Sequence, residues 1–103
     1  MDAGEVQALI RSQVGDGWKR SDWPHGVSLD RCLVDPPVRM PFHTAWDPIV
    51  SLELWLVLEE DSGAGYSIAF DDTEEIFGIA TRIDDGMLLL GFYGDFVETL
   101  EAL

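Results

Sequence analysis

With 103 residues, 47 % of them hydrophobic and 25 % charged, the chain has the make-up of one folded domain. It is too short for two domains and too apolar for a disordered acidic segment. Twenty Asp and Glu against six Lys and Arg give a formal charge of −14, which repels phosphate and argues against nucleic acid and anionic membrane surfaces as partners.

The longest apolar runs, 54–58 and 87–90, fall far short of the ~20 residues of a membrane-crossing helix. The start, Met-Asp-Ala-Gly-Glu, has neither the basic nor the apolar stretch of a signal peptide. The single cysteine, Cys32, has no internal disulfide partner. The expected location is therefore the reducing cytoplasm.

Asp2 followed by Glu5 is a capping-box spacing, and Val6, Leu9, Ile10 and Val14 follow at helical intervals up to Gly15-Asp16-Gly17. A helix is expected over 3–14. Residues 15–26 read as a loop carrying Trp18 and Trp23. Alternating Val27, Leu29 and Leu33 predict a half-buried strand over 27–34 that stops at Pro36-Pro37, with a short edge strand near 38–42.

The clearest strand is 49–59. Val50, Leu52, Leu54, Leu56 and Leu58 form one face, and the less covered opposite face carries Glu53, Trp55 and Val57. Residues 60–65 read as a loop and 66–71 as the hairpin partner. A charged turn at 71–75, a strand at 76–82, a turn at Asp84-Asp85-Gly86 and a strand at 87–93 follow. Asp95 and Glu98 repeat the capping-box spacing before a closing helix marked by Phe96, Leu100 and Leu103. The expected fold is a single α+β domain over 1–103. It has two layers: an antiparallel meander of four or five strands, and N- and C-terminal helices packed on the Val50-to-Leu58 face.

Charge divides unevenly. Residues 1–40 hold six acids and five bases, whereas residues 41–103 hold fourteen acids and Arg82 alone as a base. Such an excess keeps a surface solvated, and it also offers an electrostatic face to a basic partner. Glu59, Glu60, Asp61, Asp71, Asp72, Glu74, Glu75, Asp84 and Asp85 are the candidate residues of that face. Trp18, Trp23 and Trp46, in predicted loops, either cap a small core or act as contact anchors.

From Glu53 to Glu60, through 65–71 and 77–80, to the closing 91–103, the chain resembles a family of small bacterial cytosolic proteins that carries no assigned activity. The closing helix also distantly resembles the end of SUKH-type immunity proteins, although the N-terminal glycine and proline pattern of that group is not visible here. The likeness implies a bacterial cytosolic origin and transfers no catalytic residue.

No motif points to catalysis. Asp71-Asp72-Thr73-Glu74-Glu75 offers four carboxylates but lacks the ligand alternation and glycine of a calcium loop, so no metal is assigned. Cys32 with His25 or His43 could in principle form a zinc site or a nucleophilic dyad. The spacing fits no zinc pattern, and a buried structural thiol is the simpler reading. Gly63-Ala64-Gly65 precedes a strand, not a helix, so no phosphate cradle or cofactor is expected.

The leading expectation is a non-catalytic acidic module, an immunity- or antitoxin-like inhibitor or an adaptor, that binds a basic protein. One alternative is a small enzyme or ligand-binding domain with Glu53, His43 and Asp47 around a pocket. Another is a self-associating protein that forms a homodimer through the Trp55 and Val57 face.

Overall fold

The computed structural model describes residues 1–60 and 65–103. Helix α1 spans Ala3–Val14 and is capped as expected: the Asp2 carboxylate accepts the Glu5 N–H at 2.8 Å, and Glu5 returns the bond to the Asp2 N–H at 3.0 Å. Val6, Ile10 and Val14 form its buried stripe, and Gly15 ends it at φ 54°. Replacing Asp2 with alanine is expected to lower stability by about 1 kcal/mol, measured as a shift of the urea midpoint at constant slope.

The predicted strand over 27–34 is not formed. Two short 3-10 segments, Gly15–Lys19 and Pro24–Gly26, lead into a single helical turn, α2, at Leu29–Cys32. The Ser28 carbonyl accepts the N–H groups of Arg31 and Cys32 at 3.1 and 2.8 Å, closing that turn. Leu29 and Cys32 are three apart, so the turn still buries both, which strand alternation alone would not require.

Strand β1 then runs from Leu33 to Thr44, through the proline pair expected to end it, and is not a short edge strand. It pairs with β2 (Ser51–Glu59) on one side and β5 (Gly86–Gly94) on the other. Proline has no N–H for a ladder, and β1 accommodates two of them by bulging. Leu33 sits opposite Leu58 and Val38 opposite Leu56, so residues 34–37 arch outward across from Val57 alone.

Strands β2, β3 (Tyr66–Asp71), β4 (Ile76–Ile83) and β5 form the predicted antiparallel meander. The sheet is nevertheless mixed, because β5 closes on β1 in parallel, Phe42 beside Met87 and Thr44 beside Leu89, to complete a five-stranded barrel. The closing ladder is short, three residue pairs from Phe42 with Met87 to Thr44 with Leu89. In the β4–β5 pair, where the register shifts on either side of Gly78 and Ile79, a Cβ on Gly78 would stand 2.6 Å from the Gly91 carbonyl oxygen.

Two cores result. Phe42, Leu54, Leu56, Ala69, Ala80, Met87 and Leu89 fill the barrel. The second core lies between the barrel wall and the helical layer. There Val6, Ile10, Trp23, Leu29, Phe96 and Leu100 meet Trp55, Val57, Ile68, Phe70 and Phe77. The helices therefore cover the opposite face of β2 from the one expected. Leu54 and Leu56 turn into the barrel, Val50 stays exposed, and a register shift after Leu56 carries Leu58 to the helical side.

Helix α3, Phe96–Glu101, carries the expected Asp95–Glu98 capping box and packs beside α1. The Gln13 side-chain oxygen accepts the Phe96 N–H at 2.7 Å, joining the two helices. Among the described residues no helix is long and apolar enough to cross a membrane.

Candidate functional site

The bulge in β1 opens the larger of two neighbouring clefts, about 340 Å³, between α1, α2 and the 34–37 arch. Buried Ile10, Leu29 and Val57 lie behind it, and the half-buried Leu33 and Val34 supply its accessible apolar lining. Its rim is charged. Asp30, at the start of α2, accepts the Trp18 indole N–H at 3.2 Å, and Asp35, on the arch, accepts the Gln7 amide at 2.6 Å. Arg11, one helical turn beyond Gln7, lays its guanidinium over the Trp18 ring, 4.3 Å from its centroid. The second cleft, about 190 Å³, shares Trp18, Leu29 and Asp30, so the Trp18–Asp30 hydrogen bond lies between the two.

Glu53, His43 and Asp47 line neither of these clefts. Pro41 pairs with Glu53 and His43 with Ser51, which puts Glu53 and His43 on the outer barrel face, and Asp47 stands exposed in the β1–β2 loop. Glu53 has no hydrogen-bond or ion-pair partner among the described residues, and Arg82 holds Glu59 at 2.7 Å.

The acidic residues do not share one face. In the meander, the β2–β3 and β4–β5 connections leave one end of the strands and the β3–β4 turn leaves the other. Glu59, Glu60, Asp84 and Asp85 thus lie toward the first end, and Asp71, Asp72, Glu74 and Glu75 toward the second. Asp61 lies outside the described residues. Glu60 meets His25 Nδ1 at 2.7 Å. Asp71 is a turn former that accepts the N–H groups of Thr73 and Glu74.

Asp72 faces inward. Its carboxylate accepts the Trp55 indole N–H at 3.1 Å and pairs with Arg39 at 3.1 Å and the Met1 amine at 3.5 Å. The indole hydrogen bond first, then the two positive charges, hold its carboxyl below the usual range despite partial burial. Asp72 is therefore a structural hub and leaves the contact set. Glu74, Glu75, Asp84 and Asp85 are exposed and carry no ion pair among the described residues.

The tryptophans separate in the same way. Trp23, 4 % exposed, belongs to the core and cannot be a contact anchor. Trp18 is a part-buried wall of the cleft. Trp46 alone of the three is open, 41 % exposed, with its edge against Phe92. It rides on a loop drawn tight by buried Thr44. The Thr44 hydroxyl accepts the Val50 N–H at 3.0 Å and lies 3.3 and 3.2 Å from the Trp46 and Pro48 carbonyls. That loop holds Ile49 and Val50 outward as well, 70 % and 43 % exposed.

The Trp55 and Val57 face is buried under the helices, so it is not the less covered face on which the homodimer was expected. Cys32 is buried in the same core. Among the described residues no group of three or more His, Cys, Asp or Glu is arranged to hold a metal ion.

The comparisons with known proteins return no matching family model, no matching curated protein and no matching solved structure. Sequence reasoning missed the cleft residues Gln7, Arg11, Asp30 and Asp35. The one signal that could have found the site is Asp35-Pro36-Pro37, a run that must interrupt a ladder wherever a strand passes through it.

Proposed function

We propose that the chain is a non-catalytic protein-binding module, an inhibitor of the immunity or antitoxin kind or an adaptor, that recognises a basic protein. The observation that carries this reading is the distribution of counter-ions. Arg20, Arg39 and Arg82 are each spent on internal carboxylates, while Glu74, Glu75, Asp84 and Asp85 stand exposed without one among the described residues. A net charge of −14 then steers a positively charged partner and disfavours association of two copies. The Trp46 loop supplies what charge alone does not, a stiff apolar anchor of the kind that dominates protein interfaces. A bacterial cytoplasm is the setting that accords with the lone thiol and with the family resemblance.

The test is to capture a partner from lysate, purify it, and measure association by stopped flow. The association rate is expected to fall about tenfold between low and physiological salt, because exposed charges are screened. Asp84→Asn with Asp85→Asn is expected to slow association, and Trp46→Ala to speed dissociation. A rate that does not change with salt, or a captured partner that is acidic, would overturn the reading.

A further inference from the structure

We infer that the cleft between α1, α2 and the 34–37 arch binds an amphoteric ligand: a free α-carboxylate and a side-chain ammonium or guanidinium joined by a short aliphatic stem. A basic amino acid, or a chain that ends in one, has this chemistry. The inference stands apart from the protein-partner reading, because it concerns a different surface and different groups.

Three charges line the cleft, and none is cancelled by an ion pair among the described residues. Asp30 and Asp35 are each held by a neutral donor, the Trp18 indole at 3.2 Å and the Gln7 amide at 2.6 Å. A neutral donor orients a carboxylate yet leaves its charge and further lone pairs for a cation. Arg11 is positioned by stacking on Trp18, 4.3 Å from the ring centroid. Stacking occupies the guanidinium's face and leaves its N–H edges free to grip a carboxylate in the two-bond geometry that arginine favours.

Between these charges the half-buried Leu33 and Val34 offer methylene groups an apolar surface, backed by the buried Ile10, Leu29 and Val57. A simple anion would meet two carboxylates, and a simple cation would leave Arg11 unmatched. A free basic amino acid carries two positive groups and one negative, the complement of two aspartates and one arginine. The volume, about 340 Å³, suits a ligand of this size.

The experiment is a titration of the isotope-labelled full chain, followed by the NMR signals of the Trp18 indole N–H and the Gln7 side-chain amide. L-Lysine is expected to shift both saturably. Norleucine, which lacks the side-chain cation, and Nα-acetyl-lysine N-methylamide, which lacks the carboxylate, are expected to bind at least tenfold more weakly. Asp35→Asn and Arg11→Gln, both at exposed positions, are each expected to weaken lysine about tenfold while leaving the rest of the spectrum unchanged. Nα-acetyl-glycyl-lysine distinguishes the sources: affinity equal to lysine assigns a chain terminus, and a tenfold loss assigns the free amino acid. The inference is overturned if lysine causes no saturable shift, if norleucine or the capped lysine binds equally well, or if both variants bind lysine as the native chain does.

Discussion

Replacing Phe77 with alanine is expected to remove about 3–5 kcal/mol of stability. Phe77 is fully buried on the outer face of β4, at the joint between barrel and helical layer. Its ring lies 4.5 Å from that of Phe70 on β3 and 5.5 Å from that of Phe96 on α3, the latter in an edge-on arrangement. Truncation loses the transfer energy of the ring and leaves a hole that rigid strands cannot collapse into. It also removes the aromatic contact that seats α3. Domains of this size hold a total of about 5–15 kcal/mol, so the variant should be near its unfolding midpoint in low urea. Phe92→Ala is the control. Phe92 is partly exposed beneath Trp46, and its loss should cost clearly less. Equal urea midpoints for the native chain and Phe77→Ala would mean that the helical layer is not seated through this stack.

Replacing Asp72 with alanine is expected to cost about 2 kcal/mol at neutral pH, the range of hydrogen bonds made to a charged group. The carboxylate is 11 % exposed and ties together three separate parts of the chain: the Trp55 indole on β2, Arg39 on β1 and the amine of Met1. Its loss leaves the indole N–H without an acceptor in a largely buried position.

The effect carries a pH signature. The folded carboxyl ionises at lower pH than the unfolded one, chiefly because of the indole hydrogen bond and then the Arg39 charge. Such a group contributes its stability in full above the unfolded carboxyl range, about pH 4, and loses it as pH falls through the folded value. The urea midpoints of the native chain and Asp72→Ala should therefore differ equally at about pH 7 and pH 5, and converge toward pH 3 and below. Asp72→Asn, which keeps an acceptor for the indole but not the charge, should fall between them. A difference that stays constant down to low pH would mean that the carboxylate contributes through packing alone.

Local patterns carried much of this architecture. Both capping boxes, Asp2 with Glu5 and Asp95 with Glu98, are legible because a cap joins residues only three apart. The meander from β2 to β5 is legible because alternation and turn residues are likewise local. The reading failed where one local pattern has two solutions. Val27, Leu29 and Leu33 alternate as a strand would, while Leu29 and Cys32 are spaced as in a helical turn, and the Ser28 carbonyl decides the matter only once the chain has turned.

Charge was legible as a total and not as a surface. Composition showed fourteen acids in the last 63 residues, but not that the strands carry them to opposite ends, nor that Asp72 turns inward to Trp55 and Arg39. The candidate cleft was illegible for a related reason. Gln7, Asp30 and Asp35 come from three elements and meet only when α1 docks against β1.

By itself the sequence determined one acidic α+β domain, its capped terminal helices and four of its five strands, since each depends on neighbours a few residues away. Only the tertiary structure decided the closure of β5 onto β1, the face of β2 that the helices cover and the cleft behind the proline arch. Each of these depends on contacts between residues far apart in the chain, and on register shifts that move a side chain from one face of a strand to the other.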